Sequence, residues 1–133
     1  MLYALLAYHE EDFVRSWSDE EDGALMAKLD GLHERMLEDG RIGPAARLGA
    51  TALALTVRGK AVVTDGPFAE TKEQLLGFYI LDCETIEQAV ETAQELKAAN
   101  PSAIYEVRPL VLFRPGKAIP LTDQGLDVVR PPE

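Results

Sequence analysis

The triplet Asp65-Gly66-Pro67 constrains this chain more than any other feature. Gly66 is free to take a positive φ, while Pro67 fixes its own φ and pushes the residue before it out of the helical region, so the backbone must change direction here. Runs with strand character stand on both sides, residues 60–64 before and 77–82 after, and a dense polar segment that includes Glu70, Thr71 and Lys72 lies between. Asp65 is therefore expected at the end of a strand. No catalytic triad, metal cage or phosphate loop is visible in the spacing.

With 133 residues the chain fits one domain with a two-layer core and is too short for two. Its apolar fraction of 47% is ordinary for a globular protein, and no apolar run approaches the roughly 18 residues of a membrane span, so no membrane association is expected. Met1 leads directly into the apolar residues 2–8 with no basic leader or cleavage site, from which a cytoplasmic location is expected. The net charge of −10 opposes attraction to phosphate backbones, so direct nucleic-acid binding is not expected. Cys83 is the single cysteine and has no His or Cys at a ligand spacing; it reads as a buried structural thiol, with no metal and no cofactor expected.

Residues 2–8 read as a central strand. Ser18 and Glu21 form a capping-box pattern, and Leu25, Leu29, Leu32 and Met36 recur on one face, predicting a helix over 19–39 with Gly40 as its left-handed cap. Trp17, just before that pattern, is expected to staple the helix entry. Gly43-Pro44 reads as punctuation, residues 50–57 as a strand, and Arg58-Gly59 as a turn into residues 60–64, giving a hairpin that ends at Asp65. Residues 77–82 are a further strand. Thr85 and Gln88 repeat the capping-box pattern ahead of a second amphipathic helix, which Asn100-Pro101 stops, and residues 104–107 form a last strand with another short apolar run at 110–113.

Two amphipathic helices can cover one side of an antiparallel sheet, which predicts an α+β ferredoxin-like sandwich. The open sheet face then calls for a second copy packed sheet to sheet, a homodimer. One domain is expected over residues 1–113, followed by an extended Pro- and Gly-rich C-terminal tail over 114–133.

The segment from Val63 through Leu75, followed by Gly77-Phe78-Tyr79-Ile80-Leu81 and later Ile104-Tyr105-Glu106-Val107-Arg108-Pro109, resembles the YCII-related family in its DGPF-domain branch. The resemblance implies a dimeric α/β barrel of two ferredoxin-like subunits with clefts for a small molecule. Some relatives in the wider family are similar to small-molecule lyases or isomerases thought to use a His–Asp pair, of which only Asp65 carries over; neither histidine matches. DGPF proteins also resemble partners encoded beside sigma factors, which implies a regulatory protein partner.

Asp65 is the candidate general acid or base; the competing reading is that its oxygens cap the amides of its own turn. Glu70, Thr71 and Lys72 are candidate ligand-binding residues, Lys72 for an anionic substrate; the competing reading is a solvated linker or a cross-subunit ion pair. Tyr79 and Phe78 lie on opposite strand faces, so one of them must face a cavity or the dimer core. His33 flanks the apolar face of the first helix and could reach the sheet as a weaker catalytic candidate or as a packing residue. His9, expected in the loop after the first strand, could rim a cleft. Two functions stay open: a small-molecule lyase or isomerase using Asp65, and a non-catalytic ligand-binding or protein-interaction module.

Overall fold

The structure is a computed structural model that describes residues 1–117. The elements in chain order are β1 (Leu2–Glu10), α1 (Glu11–Arg15), α2 (Asp19–Glu38), β2 (Ile42–Arg47), a single 3-10 turn (Thr51–Leu53), β3 (Leu55–Gly59), β4 (Val62–Asp65), β5 (Glu73–Asp82), α3 (Ile86–Ala99) and β6 (Ile104–Pro109). Four strands form one antiparallel sheet in the order β2-β5-β1-β6, and β3 and β4 form a separate two-stranded sheet. This α+β arrangement, with α2 and α3 packed on one face, is compatible with a ferredoxin-like fold. The part of the expected tail from residue 118 onward lies outside the described residues.

The core lies between the helices and the sheet. Along β1 the residues alternate between fully and partly buried, with Tyr3, Leu5, Ala7 and His9 on the helix side. Leu5 pairs with Tyr79 and Tyr3 with Leu81, so β5 supplies the same face. Leu29, Leu32 and Met36 of α2 and Ala89, Ala93 and Leu96 of α3 close over them. Each fully buried leucine there contributes about 2 kcal/mol of transfer energy. On the other face Leu2, Ala4, Leu6, Phe78 and Ile80 are only half-buried.

Helix α2 begins with the expected reciprocal capping box: the Ser18 hydroxyl accepts from the Glu21 N–H, and the Ser18 N–H donates to the Glu21 carboxylate. It ends on Gly40 at φ 71°, where Gly40 N–H donates to Leu37 O and Arg41 N–H to Met36 O, a paired closure that satisfies two of the last carbonyls. The second capping pattern forms only in part. Thr85 accepts from the Gln88 N–H, but the Gln88 side chain accepts from the Glu84 N–H and does not return to Thr85.

Two expectations need correction, and two further segments take a form that the sequence pattern leaves open. Gly43-Pro44 interrupts nothing, since β2 runs through it as an edge strand whose pairing with β5 is irregular between Ile42 and Ala45; a proline without an N–H is tolerated at such a place. The run 50–57 is no single strand, because a 3-10 turn occupies Thr51–Leu53 before β3 begins. The hairpin does not join the main sheet. The run 110–113 forms no strand, although Leu110 N–H still donates to Leu2 O at the end of β6.

Candidate functional site

At the end of the sheet where β1 finishes and β5 starts, an open groove of about 630 Å³ is walled by Tyr8, by residues 48–51, 53 and 54 of the β2–β3 connection, by residues 67–69 and 71, and by residues 73–75 of β5. Its walls are mostly apolar, with Tyr8, Leu48, Leu53, Phe68 and Leu75 as the large apolar side chains. Glu73 is the one charged residue among the described residues that line it.

Local hydrogen bonds fix the walls. Leu48 N–H donates to Leu76 O and carries the chain off the edge of β5. Thr51 then donates through both its N–H and its hydroxyl to the Glu11 carboxylate, tying the 3-10 turn to α1. On the opposite wall the Gln74 amide donates to Ala69 O and Thr71 O, and the Thr71 hydroxyl donates to Glu73 O, so the polar segment folds back on itself.

The turn between β4 and this wall has the expected backbone, with Gly66 at φ 91°. Its hydrogen bonds come from elsewhere than the aspartate: Gly66 N–H donates to Ala54 O, and the Thr56 hydroxyl donates to Gly66 O. The capping reading of Asp65 therefore fails, since its carboxylate accepts no hydrogen bond from a described residue and is exposed.

Of the candidate residues, the structure brings only Thr71 into the groove lining. Asp65 stands at the base of the hairpin, two residues before the lining begins at Pro67, and Glu70 is exposed between lining residues 69 and 71. Lys72 pairs with Glu10 at 3.1 Å, and that carboxylate holds the ammonium pKa above its ordinary value. Tyr79 points away from the groove into the helix layer.

There Tyr79 meets His33. The hydroxyl and the imidazole Nε2 share a hydrogen bond of 2.8 Å, and the rings stand edge to face. Burial lowers the His33 pKa, against a smaller opposing effect of Asp30, and burial raises that of Tyr79, so both groups are held neutral. His9 is not in a loop. It is the penultimate residue of β1, buried against Asn100 and Ser102 at 3.4 Å each, and burial, Arg47 and Lys97 all lower its pKa. Trp17 packs edge-on against His9 and Phe13; the staple position four residues into α2 is Asp22, which offers it no apolar partner. Neither histidine lines the groove. Cys83 is buried as expected.

Among the described residues no three His, Cys, Asp or Glu side chains gather into a metal-holding group, and no helix is long and apolar enough to cross a membrane. The groove's second wall, residues 48–54, escaped the sequence reading; its only sequence signal is the run of small residues from Gly49 to Ala52, which suits a tight turn better than a strand.

The likeness to known proteins runs over most of the chain. An uncharacterized protein of Rhizobium meliloti (strain 1021) is 50% identical over 121 residues, which span 88% of this chain and 98% of that relative. The model of the YCII-related domain matches residues 1–114, from the first residue of the chain to just beyond β6, and the chain belongs to that family.

Proposed function

We propose that the protein binds a small apolar molecule, neutral or cationic, in the groove beside the Asp65-Gly66-Pro67 turn, and that it works as a homodimer with the open sheet faces packed together as a dimeric α/β barrel. The groove carries this reading: its volume lies within the roughly 300–1,000 Å³ typical of small-molecule sites, and its walls are apolar. Glu73, the charge in its lining, repels a carboxylate and attracts an amine. The dimer is supported by the half-buried apolar side chains of the open face, Leu2, Leu6, Phe78 and Ile80, which no element of the chain covers among the described residues.

Thermal melts with aromatic alcohols, amines and carboxylates test the ligand class, because a molecule that binds only the folded state raises its stability by mass action. Alcohols or amines should raise the melting temperature of the wild type, carboxylates should not, and Leu53→Trp, which fills the groove from an exposed position, should remove the shift. Carboxylates acting as strongly as amines, or a shift that survives Leu53→Trp, would refute the assignment. Light scattering should give twice the mass of one chain.

A second reading, a lyase or isomerase with Asp65 as acid or base, is favoured by one observation: the carboxylate is exposed and free of hydrogen bonds from the described residues beside the groove wall. Asp65→Asn should then bind the same ligands and lose turnover. Turnover that persists in this variant leaves the ligand-binding module as the function.

A further inference from the structure

The β3–β4 hairpin presents the wrong face to solvent. Leu55 pairs with Asp65 and Val57 with Val63, so Leu55, Val57 and Val63 share one side of the ribbon, with Asp65 on the same side at its base. That side is open, with exposures of 68%, 73% and 58%, while Thr56 and Thr64 on the other side are half-buried. A two-stranded hairpin alone is marginally stable in water, and this one pairs with no strand of the main sheet. Its far end is also cationic in a chain of net charge −10: Arg58 donates to Thr64 and Phe68, and Lys60 makes no ion pair among the described residues.

The open face of the main sheet offers a complement. At its β6 edge, Ile104 pairs with Tyr8, Glu106 with Leu6 and Arg108 with Ala4, which places all three on the open face, with Ile104 and Glu106 nearer the end where the hairpin departs and Arg108 farther from it. Ile104 is half-exposed, and the exposed Glu106 carboxylate accepts only the Tyr8 hydroxyl among the described residues. β2 and β6 are the two opposite edges of the sheet, and the connection to the hairpin leaves from β2. When two such sheets face each other, a two-fold axis along the strands sets the β2 edge of one copy over the β6 edge of the other. A two-fold axis across the strands sets β2 over β2 and reverses the strand direction, so each hairpin leaves at the opposite end of the pair and meets no β6 edge.

We propose that the β3–β4 hairpin is an arm that lays its apolar face, Leu55, Val57 and Val63, on the β6 edge of a second copy of this chain, with Lys60 opposite Glu106 of that copy. The arm rests on the face-to-face dimer proposed above and adds to it a contact that the sheets alone do not supply.

Sedimentation of the full chain tests it. The double variant Val57→Ser, Val63→Ser loses nothing buried within one chain, so its circular dichroism should match the wild type while its dimer dissociation constant rises about tenfold or more. Lys60→Glu and Glu106→Lys should each weaken the dimer about threefold, and the two together in one chain should restore it. In a Cys83→Ser background, a chain with Val57→Cys mixed with one carrying Ile104→Cys should form a disulfide between the two. A disulfide between two Val57→Cys chains instead would mean that hairpins meet each other and would overturn the arm. A dimer indifferent to the serine variant overturns the arm and leaves the face-to-face dimer standing, whereas a monomeric wild type overturns both.

Discussion

The four-stranded sheet and the β3–β4 hairpin are made of similar residues, and burial treats them in opposite ways. In the sheet, β1 and β5 alternate between core and open face, so a register slip of one residue would drive Leu5 and Leu81 out of the core. In the hairpin the valines and Leu55 face solvent, and nothing buried holds the register. Polar and backbone contacts hold it: Gly66 N–H to Ala54 O, the Thr56 hydroxyl to Gly66 O, and Arg58 to Thr64 and Phe68. One region is specified by its core and the other by its turn.

The largest test of that contrast is Leu5→Ala. Leu5 is fully buried between sheet and helices, and its truncation should cost about 4 kcal/mol in chemical denaturation, with the whole chain unfolding together. His33→Ala comes next, at about 2 kcal/mol, because it leaves the buried Tyr79 hydroxyl without its partner; His33→Gln should recover part of the loss. Gly66→Val should cost about 1.5 kcal/mol, since a β-branched residue is strained at φ 91°. Its effect should appear first as faster amide exchange in β3 and β4, with β1 and β5 still protected. If exchange rises equally in the main sheet, the two regions are not separately specified.

A smaller effect should follow pH. Burial depresses the pKa of both His33 and His9 below the ordinary 6.5, so in acid the unfolded chain takes up protons that the folded chain refuses. Stability should be fully present above pH 6.5 and fall as the pH drops toward the folded-state values. Denaturation midpoints between pH 5 and 8 would show it, and a double variant, His9→Gln with His33→Gln, should flatten the profile. The smallest change is expected from Asp65→Asn, within about 0.5 kcal/mol, because no hydrogen bond from a described residue depends on that carboxylate. A loss above 1 kcal/mol would restore the capping role that the geometry takes from it.

The sequence was most readable where a periodic pattern met a buried partner. The α2 stripe of Leu29, Leu32 and Met36, its Ser18 and Glu21 cap, and the Gly40 closure all appear as the spacing predicts. β2 was hidden because Pro44 and Gly43 are usually breaks, and an edge strand can carry both at an irregular pairing. The groove was hidden for a different reason. Its walls come from segments far apart in the chain, Tyr8, residues 48–54 and residues 67–75, and only the folding of the sheet brings them to one end. The Asp65-Gly66-Pro67 turn gave the location, while its most conspicuous residue, Asp65, turned out to lie beside the lining.

Gly77 shows that the width of the groove can be set from outside its lining. A β-carbon at this position would stand 2.9 Å from Ala46 O, so β2 can lie at its present spacing from β5 only because residue 77 has no side chain. Two residues beyond Ala46 the chain leaves the sheet as the groove's wall. Gly77→Ala would push that wall outward and widen the opening without placing an atom inside it. The width of the groove is thus open to change from a position that does not line it, and an engineer seeking to enlarge the groove would find a control there as well as in Leu53 or Phe68.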